Sequence, residues 1–542
     1  MPMLPRALPP KRLLALILTS ASALALVLVL NRPGTPNPDR QSEVIVGPYA
    51  SLLAASTDLG PAHRDRVQVT AALEDRSRPT ALIDWAASQH LSVDWRPGDN
   101  WAVVTGDPDR MDNAFRVDVH DYRSQRGQEF YAAPQQPRLP DELHGTVTEL
   151  GRILSYTAQH NATPPEPLEI PKRGLTPNAL RTAYGADRLF EEGNTGKGIT
   201  IVVFAFDGFQ QSDLDLFAST FALPQFTPIV VGGQPKEIHG ETTMDLQVAH
   251  AIAPDARLVV VNALPTVTGD GAYVKIGKMF EQTDHDYPGA IWSLSIGWSC
   301  DKLPTAADLA PVRSALIAAQ AHGTSAFDAS GDLAGLECKG GEDWDTPPGP
   351  NDVGLDSIAS IPEMTSVGGT TLSTNATGTW LAEQAWFDVP LSQGTAGGLS
   401  NLYDLPRWQS DAATNVDPSR RTGKRMTPDI SAVADPHTGV KIVLHQQIVT
   451  GGGTSQSAPV WAGLAAIVNQ YLLAHGGHEI GSINPLLYRT AAGAPHPAFR
   501  DIVLGANAVD RAGPGYDLVS GLGTPDIDNL AKDLLLIQRV SQ

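Results

Sequence analysis

The stretch that decides the fold is GITIVVFAFD, Gly198 to Asp207, an apolar run of strand length that ends on a carboxylate. Three similar runs follow it, at Ala256 to Leu264, Ala290 to Gly297 and Gly323 to Asp332. Between them, DLQVAHAIAP and ADLAPVRSALIAAQAHG carry apolar residues at helical spacing. Apolar strands that alternate with helices predict an α/β fold with a mostly parallel sheet flanked by helices. The active site of such a sheet lies at the carboxyl ends of its strands.

Length and composition bound the class of protein. The chain has 542 residues, 42% of them hydrophobic and 18% charged, which suits two or three globular domains. A net charge of −20 and a pI near 5.0 argue against nucleic acid or an anionic membrane surface as the main partner.

Three regions follow the N-terminal segment. Residues 44–158 have strand patterns at Val67 to Glu74 and Trp101 to Asp107 and a helical pattern at Pro79 to Gln89, which predicts a small α+β domain. We recognise no nucleophile, phosphate loop or metal cluster in it. Residues 159–176 contain four prolines, so we predict an exposed and cleavable linker there. The α/β domain then occupies residues 177–542.

The N-terminus predicts export. Residues 11–30 read KRLLALILTSASALALVLVL, two basic residues and then an apolar run long enough to cross a membrane. A clear small-x-small cleavage site is missing near Asn31, so residues 1–31 are a signal peptide or an uncleaved signal anchor. The mature protein is therefore expected outside the cell, with membrane attachment left open. The two cysteines, Cys300 and Cys338, form either a disulfide or two buried thiols.

The segment GGGTSQSAP, Gly451 to Pro459, is typical of a nucleophilic serine ahead of a helix, which we expect to begin near Ser457. The hydroxyl of Ser455 needs a base to take its proton. We find no histidine in the helix-start motif of subtilisin-type enzymes, because acidic residues follow the His-Gly of HGETTMD. Two of them, Glu241 and Asp245, lie four residues apart and so share one helix face.

Each acidic feature has an ordinary explanation when it is taken alone. A Glu/Asp pair at this spacing is commonly a solvated helix face. Asp332, in SGDLAG, follows the fourth strand, where an oxyanion donor belongs, but an Asp after Ser-Gly is commonly a turn residue. The serine motif, the carboxylate pair and Asp332 together favour catalysis.

In these segments the chain resembles the sedolisins, the kumamolisin-like serine-carboxyl peptidases. GETTMD matches the family's Glu-x-x-x-Asp helix, SGDLAG its oxyanion aspartate and GGTSQSAP its serine motif. The family landmarks IPEMTSVGGTTL, EQAW, GGLSNLYDLPRWQ and TPDISAVADP lie between the last two in the expected order. The resemblance covers nearly the whole chain after the export segment. It implies a subtilisin-like catalytic domain preceded by a small ferredoxin-like α+β activation prodomain.

The resemblance also implies an acid-acting peptidase, made as a zymogen with its own prodomain as intramolecular inhibitor. Ser455 would be the nucleophile, Glu241 the general base, and Asp245 the group that orients Glu241 and shares its proton. Asp332 would donate a hydrogen bond to the oxyanion, so it must be protonated. A histidine base would already be protonated at about pH 4 and could not act.

A calcium ion is expected near the C-terminus. Asp501 and Asp517 bracket a Gly-rich loop, and carboxylates with backbone carbonyls make an oxygen cage that suits Ca²⁺. Such loops are more often simple turns. By the resemblance to the family site, the ligands are the carboxylates of Asp501 and Asp517 and the carbonyls of Ile502, Gly513 and Gly515.

Three other functions stay open at this point. A subtilisin-type enzyme could use Asp207, which ends a strand, with a distant histidine. The chain could be an inactive, surface-anchored binding protein, or an acid hydrolase of esters or glycans, since paired carboxylates also cut glycosides. The sequence does not separate an endopeptidase from a tripeptidyl peptidase, nor does it give the substrate preference or the position of prodomain cleavage.

Overall fold

A computed structural model describes residues 42–157, 174–339, 349–388 and 393–540 of the chain. The N-terminal export segment and nearly all of the linker predicted at residues 159–176 lie outside the described residues. Within the described ranges, no helix is both long and apolar enough to cross a membrane.

The N-terminal domain is built on a four-stranded antiparallel sheet with strand order β3-β4-β2-β7. Helices lie between its first two and last two strands in the chain, which is the βαββαβ order of ferredoxin-like domains. A second sheet has the order β1-β5-β6. The predicted α+β class is therefore confirmed. The elements are α1 Pro48–Ala55, β1 Thr57–Pro61, β2 Val67–Leu73, α2 Thr80–Ser88, β3 Ser92–Asp94, β4 Trp101–Gly106, α3 Pro108–Phe115, β5 His120–Arg123, β6 Glu129–Ala132 and β7 Val147–Leu150.

Local sequence accounts for these elements. Along β2 every second side chain is buried, as expected for a strand with one face on the core. Helix α3 begins where the Asp107 side chain accepts the backbone N–H of Arg110, with Pro108 at the first helical position. It ends at Arg116 in the left-handed conformation.

The C-terminal domain has an eight-stranded sheet with the order β14-β13-β12-β11-β8-β10-β9, and β19 also pairs with β13. All of its pairings are parallel except that of β13 with β14, so the predicted mostly parallel sheet is confirmed. The first half of the domain comprises α4 Pro177–Ala183, α5 Asp187–Glu191, β8 Thr200–Ala205, α6 Gln211–Thr220, β9 Ile229–Val231, α7 Glu241–Ile252, β10 Arg257–Asn262, α8 Ala272–Asp286, β11 Ile291–Leu294, α9 Ala310–Ala321, β12 Ser325–Ala329, β13 Thr365–Thr374 and β14 Trp380–Ala385.

The rest of the domain consists of short hairpins and three helices. It comprises β15 Phe387–Asp388, β16 Gln393–Gly394, β17 Gly398–Asp404, β18 Lys424–Thr427, β19 Ile430–Val433, β20 Lys441–Leu444, β21 Gln447–Thr450, α10 Thr454–Ala474, α11 Ile483–Gly493, β22 Phe499–Arg500, β23 Thr524–Pro525 and α12 Ile527–Val540.

Helix α10 corrects one expectation. It begins at Thr454, not near Ser457, so Ser455 lies within its first turn. Gly453 has φ +80°, which lets the chain turn directly into the helix. The carboxylate of Asp332 accepts the Thr454 N–H at 2.7 Å and so caps a helix that has no capping side chain of its own. That partner is 122 residues away in the chain, which no local pattern reveals.

The sheet is covered on both faces. Helices α7 and α10 contribute to one apolar cluster, and α8 and α9 to a separate cluster that contains Trp292. From β8 the chain adds β10 on one side and then β11 on the other, so the carboxyl ends of β8 and β11 flank the point where the winding reverses. Of the two alternatives for the cysteines, the disulfide is present: Cys300 and Cys338 are bonded, with Cα atoms 4.6 Å apart.

Candidate active site

The carboxylate that ends the first long strand anchors helix α7. Asp207 accepts the backbone N–H groups of His239, Gly240 and Thr242 at 2.8, 2.9 and 2.9 Å. It therefore satisfies N–H groups that a helix start leaves without partners, and its negative charge suits the helix N-terminus. Gly240 has φ 107°, which allows the tight entry. Glu241, the first residue of the helix, is thereby fixed at the carboxyl end of β8.

Glu241 and Asp245 form an acidic pair one helical turn apart, in which Asp245 is buried and Glu241 is partly buried. Asp245 is 1% exposed, and its Oδ1 accepts the Ser295 hydroxyl at 3.0 Å. Burial raises the pKa of Glu241 well above its usual range, and the negative charges of Asp245, Asp207 and Asp332 raise it further. A hydrogen bond from Ser455 acts in the opposite direction. Two such carboxyl groups titrate as a unit and favour one shared proton.

The pKa of Asp245 is also raised, first by burial and then by Asp207, while the Ser295 hydrogen bond opposes the rise. The Oε1 atom of Glu241 is buried and has no hydrogen-bond partner among the described residues. An unpaired oxygen inside the site is costly unless it carries a proton or meets a substrate group. This pair is therefore suited to take up and release a proton.

Ser455 lies against this pair. Its side chain is 4% exposed, and its Oγ donates to the backbone carbonyl of Ser295 at 3.3 Å. The Ser295 hydroxyl lies 3.0 Å from Asp245 Oδ1 and 3.0 Å from the Ser455 carbonyl oxygen. One residue at the end of β11 therefore contacts both the acidic pair and the serine.

Asp332 reaches the same place from the end of β12. Its Oδ1 accepts the backbone N–H and the hydroxyl of Thr454, both at 2.7 Å. A Cβ atom at position 453 would lie 2.6 Å from Asp332 Oδ2, so Gly453 is needed for this approach. Burial raises the pKa of Asp332, and the bonds from Thr454 oppose the rise. A raised pKa favours the neutral carboxyl, the form that can donate a hydrogen bond.

The structure thus brings together the four residues singled out in the sequence: Glu241, Asp245, Asp332 and Ser455. Sequence reasoning missed the capping role of Asp207 and the whole of Ser295. Ser295 lies in the recognised strand segment AIWSLSIG, but nothing local distinguishes it from Ser293. Only the position of the residue directly after a central strand could have indicated it.

The C-terminal loop holds the five residues expected to bind calcium. Asp501 Oδ2 accepts the N–H of Gly515 at 2.8 Å, and Asp517 Oδ2 accepts the N–H of Gly513 at 2.9 Å. Both carboxylates therefore bracket one loop, with Ile502 buried beside it. Burial raises the pKa of Asp517 to about 6. Carboxylate and carbonyl oxygens are the hard donors that calcium prefers, so the residue types suit that ion, while the contacts here place loop N–H groups on both carboxylates.

Both domains are similar to known proteins. Residues 62–150 match the family model "Pro-kumamolisin, activation domain", and residues 228–521 match the model of the subtilase family. Kumamolisin from Bacillus sp. (strain MN-32) is 32% identical over 455 residues, which cover 78% of this chain and 77% of kumamolisin. Sedolisin from Pseudomonas sp. (strain 101) is 27% identical over 380 residues, covering 66% of this chain and 61% of sedolisin.

One solved structure is similar in fold. It is described as Pseudomonas sedolisin, a serine-carboxyl proteinase, complexed with two molecules of pseudo-iodotyrostatin. The TM-score is 0.55 at 24% identity, and the match covers 66% of this chain and 97% of that chain. The likeness supports the subtilisin-like fold.

Proposed function

The chain belongs to the sedolisin and kumamolisin family of serine-carboxyl peptidases and carries its activation prodomain, and on this premise we propose that it cleaves peptide bonds in acid. Ser455 is the nucleophile, Glu241 the general base and Asp245 the partner that shares the proton of Glu241. Asp332 is the oxyanion donor. The observation that carries the proposal is the contact of both Asp245 and Ser455 with Ser295, beside Glu241.

The reaction follows from these positions. Ser455 Oγ attacks the peptide carbonyl while Glu241 takes its proton, and the carbonyl oxygen becomes an oxyanion that accepts a hydrogen bond from neutral Asp332. Collapse of this intermediate breaks the C–N bond, and Glu241 returns the proton to the leaving amine. Water then attacks the acyl-enzyme with Glu241 again as base, which releases the acid product and restores Ser455.

Acid dependence follows from Asp332. Its carboxyl donates a hydrogen bond only while it is protonated, and an oxyanion donor is worth roughly 3–4 kcal/mol in the transition state. Its pKa is raised by burial, so the neutral form persists above the usual range of a carboxyl group. Above that pKa Asp332 becomes a negative charge facing the oxyanion, and the rate falls.

The contacts of the N-terminal domain support its role as intramolecular inhibitor. The Arg152 side chain donates to the carbonyl of Lys302 at 2.8 Å and to that of Leu303. Its backbone N–H lies 3.1 Å from both carboxylate oxygens of Asp308, just before helix α9. Arg96 also pairs with Glu281 of helix α8, at 2.8 Å. The prodomain is thereby held against helix α8 and against the segment that precedes helix α9.

Calcium is the proposed structural ion of the C-terminal loop, held by the carboxylates of Asp501 and Asp517 and the carbonyls of Ile502, Gly513 and Gly515. It would fix the loop and take no part in the chemistry. Adding a chelator should lower the thermal midpoint of the wild type, and Asp517→Asn should remove that dependence. A chelator with no effect on the wild type would reject the site.

Export is proposed from the basic and apolar N-terminus, and the Cys300–Cys338 disulfide supports it because disulfides persist in oxidising compartments.

The subtilisin-type alternative is disfavoured. The Asp207 carboxylate accepts N–H groups at the N-terminus of helix α7 and is not free to orient a histidine. The His239 side chain is half-exposed and lies 4.0 Å from Glu237.

The test is hydrolysis of an unstructured protein substrate at about pH 4 and at about pH 7, after acid incubation of the wild type and Ser455→Ala. Cleavage by the wild type in acid, reduced about 10⁴-fold or more in Ser455→Ala, is expected. Ser457→Ala is the control, since Ser457 lies in the same helix as Ser455 but its hydroxyl donates to the Ala432 carbonyl of β19. Equal cleavage by wild type and Ser455→Ala would reject the proposal. Mass analysis of the products separates endopeptidase from tripeptidyl peptidase action.

A further inference from the structure

Ser295 is a buried residue that contacts both halves of the candidate machinery, the acidic pair and the serine. It directly follows strand β11 and is 3% exposed. Its hydroxyl lies 3.0 Å from Asp245 Oδ1, and its backbone carbonyl accepts the Ser455 hydroxyl at 3.3 Å. A residue in this position can influence the charge of the acidic pair and the direction of the nucleophile at once.

The surroundings of the acidic pair make such a donor necessary. Asp207, after β8, faces both carboxyl groups with negative charge, and Asp332, after β12, adds a negative charge beside Glu241 whenever it is ionised. On the neighbouring segments, His239 points toward Glu237, and the described residues place no cation among the causes that shift either carboxyl. Burial and like charges therefore all favour the fully protonated pair, which cannot act as a base. Hydroxyl donors oppose this: Ser295 donates to Asp245, and Ser455 can donate to Glu241 when its one proton turns away from the Ser295 carbonyl.

The Ser295 hydroxyl has one proton and two acceptors within reach. An ionised carboxylate accepts a stronger hydrogen bond than an amide carbonyl does, so the proton points to Asp245 while the pair is charged. When the pair becomes neutral, the Ser455 carbonyl at 3.0 Å remains as an acceptor. The hydroxyl is thus satisfied in both states but stabilises only the charged one.

We propose that Ser295 is a positioning residue that keeps one negative charge on the Glu241–Asp245 pair in acid, while its carbonyl orients the Ser455 hydroxyl. This inference rests on the proposed peptidase function. Removal of the donor makes the pair take its second proton at higher pH. The acid limb of the pH–rate profile should then move to higher pH, with little change at the upper end of the active range.

The experiment compares kcat/KM against pH for the wild type, Ser295→Ala and Ser295→Thr on one peptide. In Ser295→Ala the rate at the acid edge should fall about tenfold and the acid limb should move up, because a hydrogen bond to a charged group is lost. Ser295→Thr keeps a hydroxyl and should restore the limb. Ser293→Ala is the matched control, since Ser293 lies two residues earlier in β11, is 0% exposed against 3% for Ser295, and has no hydroxyl partner among the described residues.

Two further arms keep the inference testable. Ser295→Cys preserves side-chain size but donates weakly, so its limb should lie with that of Ser295→Ala even if the alanine variant is poorly folded. Self-cleavage of the full-length chain should also have a lower pH limit, below which the acidic pair is fully protonated. The lowest pH that still supports processing is therefore measured for the wild type and each variant. That lowest pH should rise in Ser295→Ala.

An acid limb that stays in place in Ser295→Ala and Ser295→Cys, with or without a slower rate, would mean that Ser295 only packs. A wild type without acid peptidase activity would instead reject the proposed function itself. The two failures are therefore distinguished by the wild-type profile.

Discussion

Two buried acidic regions of this protein treat their carboxyl groups in opposite ways. At Asp429, the guanidinium of Arg425 donates to both carboxylate oxygens at 2.8 and 2.6 Å, and Tyr488 and the Ser366 N–H add bonds at 2.9 Å. At the candidate active site, Glu241 and Asp245 meet other carboxylates and two hydroxyls. Asp429 and Asp245 are 0% and 1% exposed, whereas Glu241 is partly buried with its Oε1 atom enclosed.

The difference lies in compensation. A buried charge that is paired and fully hydrogen-bonded stays charged and acts as a structural link. A buried carboxyl without a cation holds a proton that it can give up or take back, which is what acid–base catalysis requires. The number of compensating partners, and not burial alone, separates the structural region from the catalytic one.

Breaking the compensated region should cost the most stability. In Arg425→Met the Asp429 carboxylate is left buried without its cation, so the free energy of unfolding should fall by about 3–5 kcal/mol. Denaturant titration of the full-length chain measures this. Lys424→Met is the control, since Lys424 pairs with exposed Asp404 and should contribute little. An unchanged stability in Arg425→Met would contradict the contrast between the two regions, because buried Asp429 would then be tolerated without its cationic partner.

At the catalytic region, Asp332→Ala should lower kcat about 10²–10³-fold in acid, because an oxyanion donor is lost. Asp332→Asn keeps a neutral donor at every pH and should retain much more activity. The carboxyl of Asp332, whose pKa is raised by burial, loses its donor proton as pH rises through that value. The amide does not ionise, so the alkaline limb of Asp332→Asn should extend to higher pH.

The control for both Asp332 variants is the unfolding midpoint, which should change far less than the rate. Equal losses in Asp332→Asn and Asp332→Ala would contradict a donor role. They would indicate that the Asp332 carboxylate is needed only to cap helix α10.

Asp308 lies between these two cases. It has a cationic partner, Arg152, but that partner belongs to the prodomain and not to the catalytic domain. Arg152→Ala removes the bonds to Lys302 and Leu303, so prodomain inhibition should weaken about tenfold at the upper end of the active pH range. Peptide hydrolysis by unprocessed wild-type and variant chains measures this. Arg110→Ala is the matched control, because Arg110 pairs with Asp107 inside the prodomain. Equal basal activities would mean that Arg152 does not hold the prodomain in place.

Much of the fold could be predicted from the sequence, because apolar runs such as Gly198 to Asp207 carry their own signal. The sheet strands β8, β10, β11 and β12 lie within the predicted segments. Strand β9 was not predicted, since Ile229–Val231 is three residues long and partly exposed. Short edge strands are specified by their neighbours and not by their own pattern.

The candidate site divides in the same way. Sequence reasoning singled out four candidate residues because each lies in a segment that resembles a motif of the sedolisin family: Glu241, Asp245, Asp332 and Ser455. Ser295 and the capping role of Asp207 depend on hydrogen bonds to residues 50 and 35 positions away. A serine after a strand is common, so Ser295 does not stand out in the sequence. The capping partner of Asp207 is distant in the chain, so no short sequence pattern reveals it. The domain boundaries, the catalytic roles of the four residues and the calcium ligands remain predictions.

The central claim is that a carboxyl pair, and not a histidine, activates Ser455. The most direct test is the profile of kcat/KM from about pH 3 to about pH 8 for the wild type and Glu241→Gln, with calcium present. Glutamine keeps the size of Glu241 and removes only its basic oxygen. The account predicts acid-confined activity in the wild type and its loss at every pH in a folded Glu241→Gln variant. Activity that peaks near neutral pH and survives Glu241→Gln would contradict it.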